Sequence, residues 1–74
     1  MAGIEIKAED VKKVMGEINE YTRSKLYGDN WDDYDAAERA SMIRTLRYLG
    51  FGIERDEKGY ILSVQKDGQI ISAI

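Results

Sequence analysis

The spacing of apolar residues along the first third of the chain predicts a long helix. Between Ala8 and Tyr27 these residues recur at helical intervals and form one stripe: Val11, Val14, Met15, Ile18, Tyr21 and Leu26. Lys25 lies in the last turn, where a positive charge interacts favourably with the helix dipole. Gly28 follows at the position of a left-handed C-terminal cap. Gly16 predicts close packing of another element, because glycine is otherwise unfavourable inside a helix.

A second helix is predicted from Ala36 to Leu49, with Gly50 ending it. Asp35-Ala36-Ala37-Glu38 has the form of a capping box, in which Asp35 accepts from first-turn amides and Glu38 reaches back. Its inward arc contains Ala36, Met42, Ile43, Leu46 and Leu49. An outward stripe contains Ala37, Ser41, Arg44 and Tyr48, with Ala40 and Arg47 beside it.

After Gly50 the apolar period changes from helical to alternating, which predicts strands. The candidate strands are 51–55, 60–65 and 69–74, preceded near the N-terminus by a short strand at Ile4 and Ile6. Two connecting segments, 56–59 and 65–68, each end in glycine. Each is typical of a type I turn in which the glycine takes the left-handed position and forms a bulge.

Taken together, these patterns predict a single α+β domain over residues 1–74. It would consist of a short N-terminal strand, two α-helices and a two- or three-stranded antiparallel β-meander. The predicted core contains Val14, Ile18, Ile43, Leu46, Ile53, Leu62 and Val64. Because a chain of 74 residues buries only a modest core, a homodimer or a partner complex would add stability.

The composition argues against an enzyme and predicts neither cofactor nor metal. Histidine and cysteine are both absent, so triads with histidine, Cys–His pairs and thiolate zinc sites cannot be assembled. Asp32, Asp33 and Asp35 could form a carboxylate pair, but a short polar loop does little to desolvate them. The ligand spacing of an EF-hand calcium loop is met neither by a loop starting at Asp29 nor by one starting at Asp33. In each case an alanine falls on a ligand position.

Nothing in the sequence predicts a phosphate-cradling loop or a membrane segment. Gly50-Phe51-Gly52 follows a helix and precedes a strand, the reverse of the order in phosphate-binding loops. No signal peptide is evident, and no apolar run approaches the thickness of a bilayer. With cysteine absent as well, the expectation is a soluble, cytoplasmic protein.

The net charge of −3 conceals an acidic block followed by a basic one. Residues 28–38 contain five acids and no base, whereas residues 39–53 contain three arginines and no acid. The acidic block also holds aromatic residues, which dominate interface hot spots. We therefore predict a surface that binds a protein partner with a basic surface. Its residues are Asp29, Trp31, Asp32, Asp33, Tyr34 and Asp35. An alternative remains open, in which Trp31 and Tyr34 fold inward and pack between the two helices, holding them together.

In these bulk properties the chain resembles small acidic phage inhibitors of nucleic-acid-handling machines, such as anti-CRISPR proteins. That resemblance implies a non-catalytic regulator or inhibitor, encoded by a phage or another mobile element.

A second resemblance rests on two segments, 44–54 and 58–62, with the sequences RTLRYLGFGIE and KGYIL. They resemble the recognition helix and wing of winged-helix domains of the biotin-repressor type. This resemblance implies a DNA-binding transcriptional regulator that uses Ser41, Arg44, Arg47, Tyr48, Arg55 and Lys58. The chain departs from the family where a tight turn should join two helices, since a wide acidic loop lies there. A pI near 4.8 also disfavours phosphate binding, so nucleic acid is the alternative partner.

Overall fold

The computed structural model describes residues 7–73 as two helices followed by a three-stranded antiparallel sheet. The helices are α1 (Ala8–Tyr27) and α2 (Asp33–Tyr48), and the strands are β1 (Gly52–Arg55), β2 (Ile61–Lys66) and β3 (Gln69–Ser72). Strand β2 lies between the other two. The predicted α+β class is confirmed. The strand predicted at Ile4 and Ile6 lies outside the described residues. In the described part of the chain, neither helix combines the length and the apolarity needed to span a bilayer.

Helix α1 has the bounds that its apolar stripe predicts, but Gly16 within it and Gly28 after it behave differently from expectation. Gly28 has an extended backbone, with φ −94°, instead of a left-handed cap, and its N–H donates to the Ser24 carbonyl at 2.7 Å. A Cβ added at Gly16 would meet no atom of another element within 4 Å, so no other part of the described chain packs closely there. Both glycine predictions are therefore wrong.

Helix α2 begins three residues earlier than predicted because a different aspartate caps it. The Asp32 carboxylate accepts a hydrogen bond from the backbone N–H of Asp35 at 2.9 Å. The capping box predicted at Asp35 and Glu38 is therefore wrong, because the same spacing occurs one turn earlier and extends the helix. The helix ends at Tyr48, one residue before the predicted Leu49, which is the C-cap, and Gly50 follows with φ +96°.

Replacing Asp32 with alanine is expected to lower the free energy of unfolding by about 1 kcal/mol, the usual cost of a lost N-cap. Asp35→Ala is the matched control, because it removes a first-turn carboxylate without removing the cap, and its effect should be smaller. Urea unfolding followed by circular dichroism would measure both. A larger loss for Asp35→Ala would restore the capping box that the sequence suggested.

The sheet register places three apolar residues in one row beneath the helices. Ile53 pairs with Val64, and Val64 pairs with Ile71. Helix α1 contacts β2 and β3, while α2 contacts β1, so the helices cover this face. The buried hydrophobic core comprises Val11, Met15, Ile18, Ile43, Leu46, Phe51, Ile61 and Val64.

Four of the seven predicted core residues are buried: Ile18, Ile43, Leu46 and Val64. Val14 and Ile53 are partly buried against this core. The prediction for Leu62 is wrong, because its side chain is 40% exposed while that of Ile61 is 2% exposed. The cause is a β-bulge. Arg55 pairs with Ile61 and Glu54 with Ser63, which leaves Leu62 as the extra residue and shifts the alternation.

The two glycine turns differ from each other. In the β1–β2 turn Gly59 has φ +97°, as predicted, and the Asp56 carboxylate accepts from the N–H groups of Lys58 and Tyr60. In the β2–β3 turn Asp67 and Gly68 both have positive φ, at 52° and 83°. That is a two-residue type I′ turn, so the bulge predicted there is wrong. The type I′ turn matches the twist of the strands it joins.

Candidate binding surfaces

Arg39 joins three elements of the fold, a role that sequence reasoning missed. Its Nε donates to the Thr22 hydroxyl at 2.8 Å, and its Nη2 donates to the Gly59 carbonyl at 3.2 Å. Thr22 is fully buried and donates in turn to the Ile18 carbonyl at 3.0 Å. Arg39 therefore ties α2 to α1 and to the β1–β2 turn. A signal was present in the sequence, since Arg39 lies four residues before Ile43 on the inward arc.

Asn19 makes a second link between a helix and the sheet. Its amide nitrogen donates to the Ile61 carbonyl at 3.0 Å, and its amide oxygen accepts from the Ile61 N–H at 2.7 Å. The side chain thus satisfies both backbone groups of Ile61, as a neighbouring strand would. These two links hold the helices in fixed positions above the sheet and so position the surfaces described next.

The acidic aromatic surface consists of the loop after α1 and the first turn of α2. Its six predicted residues are Asp29, Trp31, Asp32, Asp33, Tyr34 and Asp35. Tyr34 is 67% exposed, and Asp29, Asp32 and Asp33 are also exposed. Trp31 and Asp35 are partly buried. Tyr34 is therefore available for contact, while Asp32 also serves as the helix cap.

Tyr21 extends this surface onto α1. Desolvation by partial burial raises the pKa of the Tyr21 hydroxyl, and the nearby Glu38, Tyr34, Asp35 and Glu17 raise it further. Carboxylates from both helices therefore act electrostatically on one phenol.

Beside Tyr21 lies a concavity of about 460 Å³ on the surface of α1. It is lined by Lys13, Gly16, Glu17, Glu20, Tyr21 and Ser24. Its lining is mixed in charge, because Glu17 and Glu20 stand opposite in sign to Lys13 and Glu20 pairs with Arg23 at 2.8 Å. The Tyr21 ring joins the concavity to the acidic aromatic surface.

A second surface, here called the arginine cleft, lies between α2 and β1. It is a concavity of about 310 Å³ lined by Arg39, Ala40, Ile43, Arg44, Arg47 and Arg55. Three of the residues predicted to bind nucleic acid, Arg44, Arg47 and Arg55, meet here. The other three do not line the cleft. Ser41 and Tyr48 lie exposed on the outward stripe of α2, as predicted for that stripe, and Lys58 is exposed in the β1–β2 turn.

Desolvation lowers the pKa of the Arg39 guanidinium, and the positive charge of Arg55 lowers it further. Arginine nevertheless stays protonated in proteins, so both groups remain cationic. Within residues 7–73 no ion pair joins an arginine of the cleft to a carboxylate, whereas Arg23 on α1 pairs with Glu20 at 2.8 Å. The cleft therefore concentrates positive charge in a protein of net charge −3.

Comparisons with protein-family models, with curated proteins and with solved structures found no match. Among the residues that the structure describes, no group of three or more acidic side chains is placed to hold a metal ion. The described residues present two oppositely charged surfaces, the acidic aromatic surface and the arginine cleft.

Proposed function

We propose that this protein is a non-catalytic protein-binding regulator or inhibitor that acts through its acidic aromatic surface. The partner would present a basic surface, as nucleic-acid-handling machines do. The observation that supports the proposal is the exposed Tyr34 ring, which lies between the acidic residues Asp33 and Asp35 in the first turn of α2. An origin in a phage or another mobile element belongs to the same proposal.

The chemistry of such a contact follows from the side chains present. Tyr34 supplies a large, amphipathic anchor that loses little conformational entropy on binding. The carboxylates of Asp29 and Asp33 complement lysine and arginine and speed the encounter with a basic partner. The concavity at Gly16 could accept a long cationic side chain, with its apolar stem along the Tyr21 ring and its charge near Glu17.

A synthetic arginine-rich peptide provides a direct probe of this surface. The variant Asp29→Asn/Asp33→Asn/Tyr34→Ala should bind it about tenfold more weakly than the wild type, since a hot-spot aromatic and two charges are lost. Asp32 and Trp31 are left intact because one caps α2 and the other is partly buried. The control for charge is Glu9→Gln/Glu57→Gln, which removes two negative charges from exposed positions outside this surface.

Isothermal titration calorimetry at low and moderate salt would measure these affinities. The control should stay within about twofold of the wild type, because remote exposed charges are screened. Equal losses in both variants would mean that the peptide senses net charge alone, and the proposed surface would then be abandoned.

A second candidate function is DNA binding by a winged-helix-like regulator that uses α2 and the hairpin. Its residues would be Ser41, Arg44, Arg47, Tyr48, Arg55 and Lys58. The observation that favours it is the meeting of Arg44, Arg47 and Arg55 in the arginine cleft, beside a hairpin that directly follows α2. Titration with duplex DNA tests this candidate together with the inference below.

A further inference from the structure

The arginine cleft contains a partly buried cation whose observed acceptors are neutral. Arg39 donates to a hydroxyl, on Thr22, and to a backbone carbonyl, on Gly59. Neither acceptor carries a charge, so the guanidinium is held in place without being neutralised. Arg39 also lines the cleft.

Three further guanidinium groups line the same concavity and add to this charge. Arg44 and Arg47 are exposed on α2, and Arg55 is exposed on β1. Like charges around a partly desolvated cation are unfavourable unless an anion joins them. The depressed pKa of Arg39, caused by desolvation and by Arg55, is consistent with this cost. The arrangement is therefore electrostatically complementary to an anion that carries more than one acceptor oxygen.

We propose that the arginine cleft binds a phosphate group. Planar guanidinium forks match phosphate oxygens through paired, charge-assisted hydrogen bonds. Arg39 would act as the fixed floor, since α1 and the β1–β2 turn already orient it, and the exposed Arg44, Arg47 and Arg55 would close around the ligand. Ala40 and Ile43 contribute small apolar walls. The phosphate could belong to a nucleic-acid backbone or to a small phosphorylated molecule. Only the nucleic-acid source rests on the DNA-binding candidate function.

The test is an NMR titration of the full chain, with the ionic strength held constant within each titration and the duplex titration repeated at a higher salt concentration. The probes are inorganic phosphate, a short single-stranded oligonucleotide and a duplex of the same sequence. Arg44→Gln and Arg55→Gln are the cleft variants, because both side chains are exposed and their loss should leave the fold intact. Arg23→Gln is the control, since it removes an exposed arginine on α1 that lies outside the cleft.

We expect phosphate to cause saturable shifts in the backbone amides of α2 and β1. Each cleft variant should weaken phosphate binding about tenfold, as the loss of one charge-assisted pair implies, and Arg23→Gln should change it less than about twofold. Non-saturating shifts, or equal affinities in Arg55→Gln and Arg23→Gln, would overturn the proposed site.

The three probes separate the cleft from the DNA-binding candidate. If phosphate binds saturably and neither oligonucleotide binds more tightly than phosphate, the cleft is a site for a small phosphorylated ligand. The DNA-binding candidate would then be rejected. Duplex binding that is tighter than phosphate binding, is sensitive to salt and is lost in Arg44→Gln would support both the phosphate site and the DNA-binding candidate. Duplex binding that is insensitive to both cleft variants, without phosphate binding, would overturn the cleft and leave DNA binding to other residues.

Discussion

Replacing Arg39 with alanine is expected to lower the free energy of unfolding by about 2 kcal/mol. The change removes the hydrogen bonds to the Thr22 hydroxyl and to the Gly59 carbonyl, and hydrogen bonds from charged donors are worth about 1.5–3 kcal/mol each. In the wild type, the cost of desolvating the guanidinium offsets part of the stabilisation by these two hydrogen bonds. Urea unfolding followed by circular dichroism would measure the difference.

Arg44→Ala is the matched control for this prediction. It makes the same substitution on the same helix, so the change in helix propensity is equal, but Arg44 is exposed. Its effect should stay within about 0.5 kcal/mol. If the two variants were equally stable, Arg39 would not link the helices to the hairpin, and the fixed floor of the arginine cleft would be lost with it.

Replacing Asn19 with leucine is expected to cost about 2–4 kcal/mol, because the N–H and the carbonyl of Ile61 would both lose their partner. Ile61 is almost fully buried, so water cannot readily replace the lost bonds. Amide hydrogen exchange provides a local readout, since the Ile61 N–H should exchange faster in the variant.

Two comparisons make the Asn19 prediction specific. Glu17→Leu places the same side chain at an exposed position of α1 and should change stability little. Asn19→Asp keeps an acceptor for the Ile61 N–H but loses the donor to the Ile61 carbonyl, so its loss should be substantial. Equal stability of Asn19→Leu and Glu17→Leu would show that the link to β2 contributes nothing.

Those features of the fold that depend on local chemistry could be predicted from the sequence. The bounds of α1 follow from its apolar stripe, the end of α2 from Gly50, and the first turn from Gly59. The start of α2 was misplaced because acidic residues in the right spacing occur one turn apart, at Asp32 and at Asp35. Local patterns alone do not rank two equivalent caps.

Features that depend on contacts distant in sequence could not be predicted. The exposure of Leu62 follows from a bulge, which is set by how β1 and β2 pair. Asn19 bonds to a residue 42 positions away, and no periodicity in the sequence identifies that partner. The helical spacing of Arg44 and Arg47 predicts that they are neighbours, but only the packing of β1 against α2 brings Arg55 beside them.

The acidic aromatic surface was predicted as one continuous segment of chain, and folding enlarges it. Tyr21 and Glu17 join it from α1, a segment whose charges balance in the sequence. The proposal of a protein-binding surface therefore rests on side chains from both helices.

Site-specific photo-crosslinking in the cells that produce the protein tests the proposed surface most directly. Benzoylphenylalanine would replace Tyr34 in one variant and Tyr48 in another. Both tyrosines are exposed, at 67% and 89%, and they lie near opposite ends of α2, about 21 Å apart along its axis. We predict that position 34 crosslinks to a protein with a basic surface and that position 48 does not. Crosslinks from position 48 alone, whether to protein or to nucleic acid, would contradict the proposed function.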